Sequence, residues 1–203
     1  MHRIPDVLDV WLDSGAAPWA SLEYPSNKIF DKFGGADFIL EGKDQIRGWF
    51  NSLMCLSMVS RKKPSYKAVY MHGMIMDSQG RKMSKSLGNV ISPYEVIQQY
   101  GADTMRYYMI GGIKPGLDLN YNFEDMRIKN KNLGILWNLH IFLLDLSRNI
   151  KVNPSTLNEG FVKIDLEEKY ILSLLNSTIK DATNLFENYD INQIPLLTEN
   201  LFL

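Results

Sequence analysis

Two apolar runs, each followed by a polar loop, constrain the fold of this 203-residue chain more than any other feature. The first run, 36–40, leads through the polar segment 41–45 into an apolar helix predicted from Arg47 to about Ser60. The second run, 66–71, ends at His72-Gly73 and precedes a polar loop rich in cations. Strand–loop–helix units in series are typical of parallel sheets covered by helices. The sequence therefore predicts an α/β fold up to about residue 114.

The helix after the cationic loop has the clearest predicted limits. Ser92, Pro93 and Glu95 have the spacing of a capping box, with Pro at the first helical position. Gly101 is predicted to end this helix in the left-handed conformation. A further helix is predicted over 102–110, before a glycine-rich break.

The pattern beyond the break at 111–116 is helical. Asn122 predicts a helix start, and this helix is predicted to continue to about Arg148. Its most apolar part, 133–146, falls short of the roughly 20 residues that a membrane span needs. We therefore predict a buried helix there, with Trp137 in the core. After a linker rich in Pro and Asn, 165–203 has the amphipathic pattern of a helical bundle, with Asp165 and Glu168 at its start.

The composition excludes several classes of protein and site. Lys and Arg total 22 against 23 for Asp and Glu, so the net charge of -1 gives no overall electrostatic case for nucleic acid or an anionic membrane. The single cysteine, Cys55, excludes an intrachain disulfide framework and a multi-thiolate zinc site, so we expect no zinc. The first residues lack a charged and then apolar leader, and we expect a cytoplasmic protein without a membrane partner.

The segment 81–86 is the strongest candidate for chemistry. Arg81, Lys82 and Lys85 put three cations within six residues, and Ser84 and Ser86 add hydroxyl donors. The loop follows the carboxyl end of a predicted strand, where α/β folds bind ligands. Lysines on such a loop can neutralise the charge that grows on a departing pyrophosphate. A solvated basic turn is the alternative, and it is the interpretation we prefer for the other basic run, 61–63.

Three segments resemble one known family. The run 82–86, Lys-Met-Ser-Lys-Ser, is identical to the signature of class I aminoacyl-tRNA synthetases, and 87–90 continues it as that class usually does. The segment 9–15 resembles the Asp-Val-Trp-Phe-Asp-Ser-Gly segment of the isoleucine, valine and leucine group, with Leu12 in place of Phe. The segment 41–50 resembles the isoleucine form, Glu-Gly-x-Asp-Gln-x-Arg-Gly-Trp-Phe. The chain is thus similar to the isoleucine-specific branch, isoleucyl-tRNA synthetase.

The resemblance implies a role for each matching residue. Lys82 and Lys85 would be catalytic and stabilise the leaving pyrophosphate. Trp11 and Trp49 would wall the isoleucine side chain, and Gln45 would contact the amino-acid end of the intermediate. The residues implied in binding ATP or the adenylate are Glu41, Gly42, Asp44, Gln45, His72, Gly73, Met74, Met83, Ser84 and Ser86. Asp44 would accept hydrogen bonds from the ribose, Met83 would pack on the base, and no residue is implied as a metal ligand.

The resemblance also implies the reaction and its partners. The isoleucine carboxylate attacks the α-phosphate of ATP, which carries Mg²⁺, and the isoleucyl group of the adenylate passes to tRNA(Ile). The partners are therefore L-isoleucine, ATP and tRNA(Ile), with no oligomer implied. Arg127, Lys129 and Lys131 could contact the tRNA acceptor arm, with a solvated helix face as the alternative.

The chain lacks the His-Ile-Gly-His type tetrapeptide of the first half of the nucleotide fold. We therefore expect a fragment that is inactive alone: the second half of a Rossmann-type fold with its cationic loop at 1–115, a stem-contact junction at 116–164, and the start of an anticodon-binding helical bundle at 165–203. Two alternatives stay open. One is a fragment of a valyl- or leucyl-tRNA synthetase, and the other is a non-catalytic tRNA-binding module of the same fold.

Overall fold

The computed structural model describes residues 2–7, 9–150 and 164–203. These residues form two compact units. The first unit holds the described residues up to Met74 together with Pro115–Asp118, and the second holds Ile75–Lys114 and the described residues from Leu119 onward. The predicted linker after Arg148 lies mostly outside the described residues. The predicted division into functional domains at 115 and 164 stays a prediction.

The first unit is built on two parallel strands. Its elements are α1 (Val10–Gly15), α2 (Ala17–Ala20), α3 (Ile29–Phe33), β1 (Ala36–Gly42), a 3₁₀ helix (Lys43–Arg47), α4 (Trp49–Arg61) and β2 (Tyr66–His72). The register pairs Ala36 with Tyr66 and Gly42 with His72, so the two strands end side by side. The predicted parallel α/β arrangement is confirmed. Strand β1 runs two residues beyond its predicted end at Leu40.

Helix α4 packs its apolar face within this unit. Leu53 is 1% exposed and Phe50 6%. A Cβ on Gly15 would lie 2.8 Å from Leu56 Cδ1, so α1 meets α4 at a distance that only glycine permits. At the far end of α4, the Arg61 guanidinium lies 3.8 Å from the centre of the Phe30 ring, a cation–π contact. Arg61, the first residue of the basic run 61–63, therefore has a structural role.

The second unit is mostly helical. Its elements are β3 (Ile75–Met76), a 3₁₀ turn (Lys85–Leu87), α5 (Pro93–Tyr100), α6 (Ala102–Gly111), β4 (Leu119–Asn120), α7 (Phe123–Asn149), α8 (Leu166–Glu187), a 3₁₀ turn (Ile191–Gln193) and α9 (Ile194–Phe202). The short strands β3 and β4 are parallel. Between them and the helices lies the core cluster of Val96, Tyr108, Leu119, Tyr121 and Met126.

The observed helix ends confirm two predicted caps and contradict a third. Asn122 accepts from the backbone N–H groups of the first turn of α7, and Asp165 forms a capping box with Glu168. Ser92 makes no side-chain capping bond, so the predicted capping box is wrong there; Pro93 alone presets the first helical φ. Gly101 ends α5 with positive φ but ψ of 157°, which is not the predicted left-handed helical conformation.

The prediction that 133–146 is a buried helix with Trp137 in the core is wrong. The stretch is helical, but Trp137 is 63% exposed and Leu143 63%. The buried residues of α7 are Met126 and Asn132, near its beginning, where α5 and α6 pack against it. From Leu136 onward every residue of the helix is exposed. Among the described residues, no helix is both long and apolar enough to cross a membrane.

Candidate active site

The carboxyl edge of β1 and β2 brings together several of the predicted nucleotide-binding residues. A Cβ on Gly42 would lie 2.5 Å from Asp44 Oδ1 and 3.4 Å from His72 Cε1. The Asp44 carboxylate is therefore folded back over Gly42, beside the His72 ring, and a larger residue at position 42 would displace it. Asp44 is exposed, and so is Glu41, whose carboxylate accepts a hydrogen bond from Gly42 N–H at 3.3 Å. This edge presents two exposed carboxylates beside the buried Gly42.

Asp44 is joined to the start of α4 through one side-chain amide. Gln45 Nε2 donates to Asp44 Oδ2 at 2.9 Å, and Gln45 Oε1 accepts from Trp49 N–H at 3.0 Å. The two bonds fix which way the amide of Gln45 points. One Nε2 hydrogen and one Oε1 lone pair of Gln45 are left over by these bonds. The sequence-adjacent pair Asp44 and Gln45 is therefore preorganised.

The two predicted pocket tryptophans meet at the same place. A Cβ on Gly48 would lie 2.8 Å from Gln45 Oε1 and 3.5 Å from Trp11 Cε2, so the indole of Trp11 and the amide of Gln45 both lie against Gly48. The Trp49 indole donates to the Ser14 carbonyl at 3.0 Å, which ties α4 to α1. Trp11 remains 38% exposed. The structure thus brings Trp11, Gln45 and Trp49 together, and their contact with an amino acid stays a prediction.

The segment Pro115–Asp118 closes the end of β2 and was not predicted as part of the site. Gly116 N–H donates to the Met71 carbonyl at 2.7 Å, and a Cβ on Gly73 would lie 1.9 Å from the Leu117 carbonyl oxygen. No other residue fits at position 73 while this segment stays in place. His72 Nδ1 lies 2.9 Å from the Gly73 carbonyl oxygen, a distance that suits a donating Nδ1–H.

Lys43 and Asp118 are site-forming residues that the sequence did not reveal. Lys43 Nζ lies 2.6 Å from Asp118 Oδ1, which also accepts from Met74 N–H at 2.7 Å. Hydrogen bonds from the Lys43 side chain and the Met74 backbone lower the pKa of Asp118. The pair links the 3₁₀ helix that carries Asp44 to the end of β2. Lys43 occupies the variable position of the family segment, and its partner is remote in sequence, so no local signal marked the pair.

The cationic loop belongs to the second unit and is built on a buried carboxylate. Asp77 is 6% exposed, and its carboxylate accepts from Gln79 N–H, Arg81 N–H and Arg81 Nε at 2.8–2.9 Å. Asn89 Nδ2 donates to it at 3.0 Å. Hydrogen bonds from Asn89 and from the Arg81 backbone are the main reasons why the pKa of Asp77 lies well below its ordinary value. Asp77 is therefore a buried carboxylate that is ionised at neutral pH and accepts hydrogen bonds from three residues of the loop.

The three cations of the loop are not equivalent. Arg81 is committed to Asp77, with which it forms an ion pair at 2.9 Å. Lys82 and Lys85 are exposed, and across the described ranges neither ammonium group has an ion-pair or hydrogen-bond partner. The two lysines that carry the predicted chemistry are thus available to an anionic ligand, and the arginine is not.

The remaining predicted residues of the loop have structural partners. Met83 packs against the core cluster of the second unit, and its contact with a base stays a prediction. Ser84 Oγ accepts from Leu87 N–H at 3.2 Å and so caps the short 3₁₀ turn that carries Lys85. The Ser84 and Ser86 hydroxyls are 3.1 Å apart. These bonds hold the loop in a defined turn.

The predicted tRNA-contacting cations of α7 also differ from one another. Lys129 Nζ lies 2.7 Å from Glu199 Oε1, and the two side chains are only 21% and 7% exposed. Arg127 forms an exposed ion pair with Glu124 at 2.7 Å, and Lys131 is exposed. Lys129 is therefore paired with helix α9. Neither of its two predicted roles, a contact with tRNA or a place on a solvated helix face, agrees with this ion pair. Contacts of Arg127 and Lys131 with tRNA stay predictions.

No metal site is built into the part of the chain that the structure describes. There, no group of three or more His, Cys, Asp or Glu side chains is placed to hold a metal ion. The described residues that could face a nucleotide offer lysines and isolated carboxylates instead.

Comparison with known proteins places the chain in a family. The family described as "tRNA synthetases class I (I, L, M and V)" matches residues 1–122. An isoleucine--tRNA ligase of Methanopyrus kandleri is 40% identical over 209 aligned residues, which cover 95% of this chain and 19% of the relative. Another, from Archaeoglobus fulgidus, is 45% identical over 200 residues, covering 96% and 19%. The chain thus spans about a fifth of the length of these curated relatives.

Solved structures show the same fold. The ternary complex of Agrobacterium radiobacter K84 LeuRS with tRNA and LeuAMS matches with a TM-score of 0.78 and 26% identity, over 98% of this chain and 27% of that one. Mycobacterium tuberculosis methionyl-tRNA synthetase in complex with methionyl-adenylate matches with a TM-score of 0.79 and 21% identity, over 98% and 40%. The predicted Rossmann-like α/β fold agrees with these matches. Sequence and structure together show that this chain belongs to the class I tRNA synthetases of the isoleucine, leucine, methionine and valine family.

Proposed function

We propose that the chain is the part of an isoleucine–tRNA ligase that binds the adenylate and the leaving pyrophosphate. The full-length parent would activate L-isoleucine with ATP and transfer it to tRNA(Ile). The isoleucine-specific form of the segment 41–50 and the names of relatives that are 40–45% identical support this substrate over valine or leucine. Cytoplasmic location is part of the same proposal.

The observation that carries the proposal is the unpaired state of Lys82 and Lys85 beside a neutralised Arg81. Exposed ammonium groups on a backbone fastened to a buried anion can meet negative charge without first breaking an ion pair. They stabilise charge as it builds on the departing pyrophosphate, which lowers the barrier and not only the dissociation constant of ATP. Mg²⁺ belongs in this scheme to the ATP substrate, and no residue of the chain is assigned to it.

The first unit supplies the complementary part of the proposal. Asp44, held by Gln45, would accept hydrogen bonds from the ribose hydroxyls, and Gly42 leaves the room that this carboxylate occupies. Gln45 would offer its remaining hydrogen-bonding groups to the amino-acid end. Trp11 and Trp49 would provide rigid apolar walls for the isoleucine side chain. Orientation of bound reactants needs no covalent enzyme intermediate.

Replacement of Lys85 by alanine in the full-length parent tests this function. We expect Lys85→Ala to lower isoleucine-dependent ATP–pyrophosphate exchange by about 100-fold or more, the range seen when one stabilising donor is removed. Isoleucine affinity should change little. Lys63→Ala is the matched control, since Lys63 is an exposed lysine outside the site. Exchange that is unchanged in Lys85→Ala, or a wild-type parent that prefers valine or leucine, would contradict the proposal.

The isolated 203-residue chain should bind nucleotide weakly and activate nothing. An exchange assay on this chain with ATP and isoleucine should therefore give no signal above the background without enzyme. Isoleucine-dependent exchange by the isolated chain would refute the expected inactivity. Binding of tRNA that ATP leaves unchanged would favour the alternative, a non-catalytic tRNA-binding module.

A further inference from the structure

The ends of the cationic loop are joined by two buried or half-buried side chains that lie outside the signature 82–86. Asn89 donates to the Asp77 carboxylate together with Gln79 and Arg81. Its Nδ2 group also donates to the Lys82 carbonyl at 3.2 Å, and its Oδ1 accepts from Ser84 N–H at 2.9 Å. Asn89 therefore contacts the backbone on both sides of Met83 and, at the same time, the buried carboxylate.

Asp77 fixes the entry of the loop in the same way that Asn89 fixes its exit. Asp77 N–H donates to the Arg81 carbonyl at 2.9 Å, and Gly80 N–H donates to the Asp77 carbonyl at 2.9 Å. Together with the side-chain bonds of Asp77, these contacts make 77–81 a tight turn that ends next to Lys82. The Asn89 side chain thus closes the backbone from Lys82 to Asn89 into a loop. Its hydrogen bond to Asp77 attaches this loop to the turn 77–81.

We propose that Asp77 and Asn89 are positioning residues that set the place of the Lys82 and Lys85 ammonium groups during amino-acid activation, an inference that rests on the proposed function. Neither side chain is free to reach a substrate. Asp77 is buried, and both polar ends of the Asn89 amide are occupied within the loop. What they control is the backbone of Lys82 and Ser84, and through the Ser84 cap the turn that carries Lys85.

The chemistry of the pair allows a charge-exchange test in the full-length parent. In Asn89→Asp, two carboxylates face each other and the donor to the Lys82 carbonyl is lost. In Asp77→Asn, the amide of Asn89 faces another amide, and Arg81 loses its anion. The double variant Asp77→Asn/Asn89→Asp restores one hydrogen bond between the two positions with donor and acceptor exchanged.

Steady-state ATP–pyrophosphate exchange, normalised to titrated active sites, is the measurement. We expect each single variant to lower kcat by about 10- to 100-fold, the cost of a misplacement of about 1 Å at a reacting centre. The KM for isoleucine should stay within about twofold, and the double variant should recover part of kcat. Gln79→Ala, an exposed side chain on the same turn, is the control and should behave as wild type.

Each outcome decides between distinct conclusions. Single variants that keep wild-type kcat per active site, even with lowered thermal stability, would show that the pair is only structural and overturn the inference. A double variant whose kcat does not exceed that of the less active single variant would overturn it too. If a single variant fails to fold, the kcat of the double variant relative to Gln79→Ala still tests the pair. A wild-type parent without isoleucine-dependent exchange would instead refute the proposed function.

Discussion

The ion pair between Lys129 and Glu199 gives the most direct quantitative prediction. The Glu199 side chain is 7% exposed, and its carboxylate accepts from Lys129 Nζ at 2.7 and 2.9 Å and from Asn132 Nδ2 at 3.1 Å. The substitution Lys129→Met keeps most of the apolar stem but removes the ammonium group. Glu199 is then left buried with the amide of Asn132 as its donor.

The magnitude follows from how well the charge is buried. Removing one partner of a buried pair costs about 3–5 kcal/mol, because the other charge stays uncompensated. Lys129 is 21% exposed, so water already screens part of the interaction, and we expect the lower end, about 3 kcal/mol. With a urea slope of about 2 kcal/mol per molar, the unfolding midpoint should fall by about 1.5 M. The double variant Lys129→Met/Glu199→Met should regain most of this loss, since a well-packed apolar pair can replace a buried ion pair.

The effect should also depend on pH. Burial alone would raise the pKa of Glu199, but hydrogen bonds from Lys129 and Asn132 outweigh it and leave the pKa below its ordinary value. A lowered carboxyl pKa in the folded state contributes stability that is complete above the unfolded pKa of about 4.3 and is lost as pH falls through the folded pKa. The unfolded state is the same for both chains, so their difference should narrow as pH falls from the raised pKa of the uncompensated Glu199 in Lys129→Met toward its lowered pKa in wild type.

Urea unfolding of the 203-residue chain, followed by far-ultraviolet circular dichroism, measures these differences. Lys131→Met is the matched control, because Lys131 is an exposed lysine on the same helix. Hydrogen exchange of the α9 amides gives a local readout, since α9 carries Glu199 and should open more readily in Lys129→Met. Equal midpoints for Lys129→Met and Lys131→Met, or a gap that does not narrow in acid, would refute the assignment of a stabilising buried pair.

Three further changes have expected outcomes of known sign. Gly73→Ala places a Cβ 1.9 Å from the Leu117 carbonyl oxygen, so thermal denaturation should show a loss of about 3 kcal/mol. Asn122→Ala removes the cap of α7 and should lower the free energy of unfolding in urea by about 1 kcal/mol; an unchanged midpoint would speak against the cap. Asp118→Asn weakens the pairing with Lys43, and since the pKa of Asp118 is lowered in the folded chain, wild type should lose stability below about pH 4 more steeply than the variant in acid titrations of unfolding.

The parts of the fold that depend on local sequence were predictable. The strands β1 and β2 follow from short apolar runs between polar loops, and Asn122 and Asp165 mark helix starts because their side chains bond the adjacent turn. Ser92 shows the limit of this reasoning. Its side chain has the right chemistry for a cap, but Pro93 already sets the helical φ and removes one of the free N–H groups, so the helix begins without the hydroxyl.

Features that depend on remote partners could not be predicted. The exposure of Trp137 depends on which elements cover the later turns of α7. An apolar helical pattern in the sequence does not show whether a neighbouring element is present. The pairs Lys43–Asp118 and Lys129–Glu199 join segments distant in the chain. A charged residue carries no sign of its partner in its local sequence, so Lys129 could be predicted only as a cation on a helix.

The difference between the paired Arg81 and the unpaired Lys82 is another case, because local sequence rules are enough to predict it. Asp77 at the first position of a turn and Gly80, with φ of +75°, at the fourth are the residues that a type I turn followed by a left-handed glycine favours. Such a turn brings Met76 opposite Lys82, as the antiparallel bridge between them shows. Residue 81 then returns next to Asp77, and because successive side chains on an extended segment point to opposite faces, the side chain at 82 points away from the carboxylate. The same turn that pairs the arginine with Asp77 therefore leaves the first signature lysine without an ion-pair partner among the described residues.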